Sequence, residues 1–322
     1  LLLAGALAST PAAVKIINGE VAQADRYPMA GGVLVYAGGA VSLVCSSTLI
    51  APDVVMLAAH CVDGAVLGST PEQVGWSNTS DLGEYVQNTQ FPTDAEVGTD
   101  FVMHPDWSYA NLQVGLALNY DIALVFLEGE SAFPYAYLPT AEEAEQIVEG
   151  AEVAVAGWGM TDADDTTSYG VKNWGWSTID ALADYEFQVG AATDAVRKCH
   201  GDSGGPSFLD VESASSVKMR VIGVTSHTWD ETDCQETGGV DTRADYYLEW
   251  IDEEMRSRCE ADERAWCGVD GIPPPPIPMS DAELLGDLKL VGCATAGGRG
   301  LLPGVLLAAG LTAARRRPNR RR

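Results

Sequence analysis

Only 19 of the 322 residues are lysine or arginine, against 46 aspartates and glutamates, and only four are histidine. Seven of the basic residues follow Cys293, whereas every acidic residue precedes it, so residues 1–292 carry a formal balance of −34. Such a surface repels nucleic acid and anionic bilayers, which argues against a polyanion-binding role and fits the solvated coat of a secreted protein. No Cys-x-x-Cys pair occurs and nothing has zinc-ligand spacing. No metal centre or other cofactor is therefore expected, with calcium left open. No twenty-residue apolar run interrupts the body of the chain, which argues against a membrane-spanning helix there. The shortage of histidine narrows the choice of an imidazole base to His60, His104, His200 and His227.

From residue 16 to about 243 the chain is a series of short apolar runs broken by Gly, Pro, Asn and Asp. GGVLVYAGG, VSLVCSSTLIA, VVMLAAH, DIALVFLE, AEVAVAGWG, VKMRVIGVTS and GGVDTR each read as a strand or a strand with its turn. One segment differs. In ADYYLEWIDEEMRSRC (244–259), Tyr247, Leu248, Ile251 and Met255 recur at helical spacing, with arginines in the last turn. Many short strands closed by one C-terminal α-helix predict an all-β fold of antiparallel Greek-key β-barrels.

The two ends have their own character. LLLAGALA (1–8) reads as the remainder of a secretory signal peptide with an A-x-A cleavage site. Residues 261–292 form an acidic, proline-rich linker containing the stiff IPPPPIP stretch. After Gly292-Cys293 come small residues, then fourteen largely apolar ones and an arginine cluster. As a helix that apolar segment is roughly 21 Å long, short of a ~30 Å hydrocarbon core. The order resembles the C-terminal sorting signals of myxobacteria, in which the cysteine is the processing and anchoring point. That resemblance makes 293–322 a sorting or anchor segment, with an ordinary tail anchor or a basic tail as alternatives. It predicts a bacterial protein that is extracellular or held at the cell surface or membrane. Six of the seven cysteines (Cys45, Cys61, Cys199, Cys234, Cys259 and Cys267) can form three bridges in an oxidising compartment, leaving Cys293 odd.

Chemistry concentrates in RKCHGDSGGP (197–206). A serine hydroxyl is a poor nucleophile until a base takes its proton and the resulting oxyanion is stabilised. Gly201 and Ser203 can aim backbone N–H groups into one small hole, because Gly201 tolerates unusual dihedrals. His60 ends an apolar run in LAAHC, where a bridge from Cys61 to Cys45 would pin it. Asp121 in NYDIALV has apolar neighbours, so its carboxylate needs a partner indoors.

TLIAPDVVMLAAHC, NYDIALV and CHGDSGGP, in the order His, Asp, Ser, resemble the trypsin-like (chymotrypsin-fold) serine proteases. IINGE, VMHPDW, VAGWG and GGVDTR add to the resemblance, which covers residues 16 to about 260. It implies two antiparallel β-barrels and a secreted endopeptidase, a monomer that hydrolyses polypeptides through an acyl-enzyme. His60 would be general base then acid, Asp121 would fix its tautomer, Ser203 would attack, and the N–H groups of Gly201 and Ser203 would hold the oxyanion. The resemblance also implies a zymogen. A protease cutting after Lys15, at the end of a propeptide (9–15), would free Ile16 to pair with Asp202. The alternative is a catalytically silent relative serving as a surface binding module.

The substrate pocket implied by the family comprises Arg197, Lys198, Ser226, His227, Thr228 and Gly239, bracketed by a Cys199–Cys234 bridge. Cys259 and Cys267 are expected to bridge locally, which departs from the family. A buried Arg197 suits an acidic side chain before the scissile bond. A small or apolar pocket, with Arg197 paired to an internal acid, stands equally open. Cleavage after Lys or Arg is disfavoured by like charge.

Overall fold

A computed structural model describes residues 16–268 except 24, 166, 214, 231–233, 260–263 and 265. The signal remnant, the propeptide with Lys15, most of the linker and the Cys293 segment lie outside the described residues. Fourteen strands are described: β1 (Glu20–Val21), β2 (Ala30–Ala37), β3 (Ala40–Ala51), β4 (Val54–Leu57), β5 (Gln73–Ser77), β6 (Glu96–Gly98), β7 (Asp100–Met103), β8 (Ala123–Phe126), β9 (Glu152–Gly157), β10 (Asn173–Leu182), β11 (Glu186–Val189), β12 (Pro206–Asp210), β13 (Met219–Thr228) and β14 (Gly239–Arg243). They form two antiparallel seven-stranded sheets. The first runs β6-β5-β2-β3-β4-β8-β7 and is a nearly closed barrel. The second runs β1-β10-β11-β14-β13-β12-β9, and pairing of β9 with β10 closes it.

Local chemistry sets these elements. Gly38 and Gly39 both take positive φ between β2 and β3, which a two-residue hairpin of primed type needs. Trp76, Leu34, Leu49 and Phe126 are fully buried in the first core. Val153, Val155, Ile179, Phe187, Val189 and Ile222 fill the second. Each such side chain contributes about 1.5–3 kcal/mol by leaving water.

The expected helix is shorter than its pattern. Residues Ala244–Tyr247 make a 3₁₀ turn and the α-helix spans Leu248–Arg256. The guanidinium of Arg243 grips Asp245 at 2.7 Å at the entry to this turn. Ile251 and Met255 are the buried residues of the helix, on the face expected for them.

The compact fold continues past residue 260, where the sequence placed its end. Cys259 bonds to Cys267, and Trp266 is buried with its Nε1–H donating to Asp53 Oδ1 at 2.6 Å. Arg264 donates to the other oxygen of Asp53, also at 2.6 Å. Two side chains thus tie this loop to the first barrel. Among the described residues no helix is long and apolar enough to cross a membrane.

Candidate active site

His60 lies in a 3₁₀ turn, Ala59–Cys61, that follows β4. A disulfide joins Cys61 to Cys45 on β3 and fixes this turn to the sheet. Asp121 stands two residues before β8, after Tyr120, whose φ of 57° is left-handed. The Tyr120 ring stacks on His104 with centroids 4.9 Å apart, and His104 also meets Tyr247 and Trp250. His104 is thus a packing residue.

The Asp121 carboxylate is fully buried and carries three hydrogen bonds. The His60 backbone N–H donates to Oδ1 at 3.0 Å, and His60 Nδ1 donates to Oδ2 at 2.8 Å. Ser226 Oγ donates to Oδ2 at 2.6 Å. With Nδ1 protonated, the neutral ring keeps its lone pair on Nε2. Burial alone would raise the Asp121 pKa, but the charge and hydrogen bond of His60, with the Ser226 bond, hold it below the ordinary value. Burial would likewise lower the His60 pKa. The charge and hydrogen bond of Asp121, with the charge of Asp63, together outweigh it, and His60 sits above 6.5.

Ser203 comes from the second barrel, in the turn before β12, and shares one cleft with His60. The cleft has a volume of about 350 Å³. Two glycines shape this turn. Gly201 has a φ of 93°, and an added Cβ would come within 3.0 Å of Gly159 Cα. A Cβ on Gly204 would come within 2.4 Å of the Ser46 carbonyl. Ser46 Oγ donates to Gly201 O at 3.0 Å, and Ser46 N–H donates to Ser203 O at 2.9 Å, so β3 holds the turn at both residues.

Asp202 is fully buried. It accepts from Gly159 N–H at 2.8 Å and Cys199 N–H at 2.9 Å, and among the described residues no ion pair includes it. Burial pushes its pKa up to about 6, against the pull of those N–H groups and of Lys198. Ile16 is buried in the second core, and Ile17 bridges to Arg197, which donates its N–H to Ile17 O at 3.0 Å.

The cations ahead of Ser203 part company. Arg197 is buried, but its guanidinium turns onto backbone. Nε donates to Gly190 O at 2.9 Å, and Nη2 donates to the carbonyls of Ala191 and Ala192. The side chain thus satisfies itself on a carbonyl-rich turn and is not among the residues lining the cleft. The expectation that Arg197 greets an acidic substrate is not met by this geometry. Lys198 does line the cleft, and its ammonium pairs with Asp241 at 2.6 Å, both side chains being almost wholly buried. Losing one partner of such a pair costs about 3–5 kcal/mol.

Ser226, His227, Thr228 and Gly239 all line the cleft, as does the exposed His200. His227 Nδ1 lies 3.0 Å from Ser226 Oγ and Nε2 lies 3.1 Å from Gly115 O. Burial keeps the His227 pKa below the ordinary imidazole value, despite the Gly115 carbonyl and Asp121. The Cys199–Cys234 disulfide brackets this wall.

Sequence reasoning missed Asp241, Ser207 and Glu186. Glu186 accepts from Ala117 N–H at 2.8 Å and from Asn119 Nδ2 at 3.0 Å, tethering the loop that leads into Asp121. Burial pushes its carboxyl up to about 8. An acid inside an apolar strand, as in GGVDTR, was the available signal for Asp241.

The trypsin family model matches residues 16–251, and the chain belongs to that family. It is 28% identical over 260 residues to chymotrypsin-like elastase family member 1 of Canis lupus familiaris, covering 76% of this chain and 93% of that one. It is also 28% identical over 243 residues to melanization protease 1 of Drosophila melanogaster, covering 66% of this chain and 58% of that longer protein. Chymotrypsin of Phaedon cochleariae is 24% identical over 261 residues, covering 77% of this chain and 84% of that one.

Proposed function

We propose that the protein is a secreted serine endopeptidase. Ser203 attacks the peptide carbonyl while His60 takes its proton and later returns it to the leaving amine. Asp121 holds the imidazole in the tautomer with Nδ1 protonated and stabilises the imidazolium as it forms. The N–H groups of Gly201 and Ser203 receive the oxyanion, and water then hydrolyses the acyl-enzyme. The observation that carries this reading is the double hydrogen bond from His60 to the buried Asp121, in a cleft shared with Ser203.

The enzyme is made as a zymogen. Among the described residues the buried Asp202 is in no ion pair, and a cut after Lys15 would supply a partner as the Ile16 ammonium. Paired, Asp202 would stay ionised and order the turn that carries Ser203. The free ammonium titrates near ~8, so activity should also decline as that proton is lost at high pH. Another protease makes the cut, because a cleft lined by Lys198 disfavours Lys15. The C-terminal segment places the monomeric enzyme at a bacterial cell surface or releases it outside.

The test is to cut the protein after Lys15 with added trypsin, remove the trypsin on an inhibitor resin, and offer a mixed peptide library. Internal peptide bonds should be cut, and the cleavage should vanish with Ser203→Ala. No cleavage by correctly cut protein would reject the proposal.

A further inference from the structure

We propose that the buried Lys198–Asp241 ion pair is the specificity-determining element of the cleft, a charge plug that selects an uncharged side chain before the scissile bond. This rests on the endopeptidase reading above. Lys198 lines the cleft alongside Ser203, Thr225, Thr228 and Gly239, so whatever enters next to Ser203 meets it. An ammonium has three protons to give. Those of Lys198 are accounted for by Asp241 Oδ1 at 2.8 Å, Asp241 Oδ2 at 2.6 Å and Ser207 Oγ at 2.9 Å.

An incoming carboxylate therefore finds no free donor on Lys198, whose ammonium is already paired with the buried Asp241. An incoming ammonium or guanidinium faces Lys198 with Asp241 already taken. Either would be desolvated without a partner. The pair has no net charge wherever its shared proton resides, so the selection does not depend on which group holds it. Arg197 does not substitute, because its Nε and Nη2 are turned onto the carbonyls of Gly190, Ala191 and Ala192 and it does not line the cleft. Among the described residues, other titratable groups that interact with the pair are Asp202, which attracts Lys198, and Glu186 and the cleft residue His227, both of which feel Asp241. The aliphatic stem of Lys198 and the small Thr225, Thr228 and Gly239 leave a surface suited to a side chain of modest size.

If the plug works by compensation, removing one charge should unmask the other. Asp241→Asn should shift preference toward Glu and Asp on the order of tenfold or more, and Lys198→Ala should shift it as far toward Lys and Arg. The double variant Lys198→Ala/Asp241→Asn removes both charges and should again prefer uncharged residues.

All four proteins are cut after Lys15 and freed of trypsin; a portion of each is labelled at Ser203 with a fluorophosphonate to show that the nucleophile is active, and a separate untreated portion is profiled on the peptide library. Opposite shifts in the single variants, with reversion in the double, support the plug. Labelled variants that keep the wild-type profile overturn it, as does a wild-type enzyme that prefers a charged residue. If a single variant fails to fold, the wild-type and double-variant profiles decide: both must favour uncharged residues. An unlabelled, inactive wild type rejects the endopeptidase reading itself, and the plug with it.

Discussion

His60→Ala is expected to lower kcat on a peptide substrate by about a millionfold, the scale on which a serine hydrolase loses its base. The Ser203 hydroxyl holds its proton far too tightly to attack unaided at neutral pH, and among the described residues His60 is the only imidazole that bonds Asp121 in the cleft that Ser203 lines. The fold should tolerate the change, because the His60 side chain is partly exposed and the turn is pinned by the Cys45–Cys61 bridge. Adding Ser203→Ala to His60→Ala should cost little more, since base and nucleophile act as a unit. The measurement is kcat for both single variants and the double. Additive losses would mean that the two residues work apart.

Asp121→Asn should cost about ten-thousandfold in kcat while leaving substrate binding nearly unchanged. An amide in place of the carboxylate must put its NH₂ either at the Oδ2 position, facing both His60 Nδ1 and Ser226 Oγ, or at the Oδ1 position, facing the His60 backbone N–H. The first orientation puts the imidazole proton on the wrong nitrogen and removes the acceptor of the 2.6 Å Ser226 bond, and the second sets one N–H against another at the His60 backbone. The pH profile carries a separate signature. In the proposed mechanism neutral His60 is the base, so kcat/KM should fall as pH drops through its pKa. Because Asp121 holds that pKa above 6.5, the acid limb of the wild type should lie above 6.5. With Asp121→Asn the burial penalty, the largest single influence on His60, is no longer offset by Asp121 and meets the weaker Asp63 charge, so the limb should move to lower pH. An unmoved limb would show that a different group titrates.

Much of this was legible in the sequence because strongly buried strands are apolar on both faces. Val54–Leu57 and Ala123–Phe126 are buried at every position and read as continuous apolar runs. By contrast, β10 alternates cleanly between buried and outward residues, but its inward positions include Asn173, Gly175 and Ser177. Polar and small residues facing inward erased the alternating signal. The glycine has its own cause, since a Cβ at Gly175 would lie 2.7 Å from Val196.

The site divides in the same way. His60, Asp121 and Ser203 stood out because each sits in a dense local pattern. The partners of Arg197 and Lys198 did not, because they are set by tertiary geometry. Arg197 is satisfied by carbonyls, which any sequence supplies. Lys198 meets an acid 43 residues further on, and Asp241 reaches it only because β14 pairs with β13 beside the turn that carries Ser203. Arg197 and Lys198 lie between β11 and β12, where adjacent side chains of an extended segment can point to opposite sides.

The central claim is that Ser203 becomes an activated nucleophile once Ile16 is freed. The most direct measurement is mass spectrometry of the protein after exposure to a fluorophosphonate, before and after cutting at Lys15. The cut protein should carry one adduct, on Ser203, and the uncut protein and cut His60→Ala should carry almost none. A cut protein that stays unmodified, or is modified at another residue, would contradict the account.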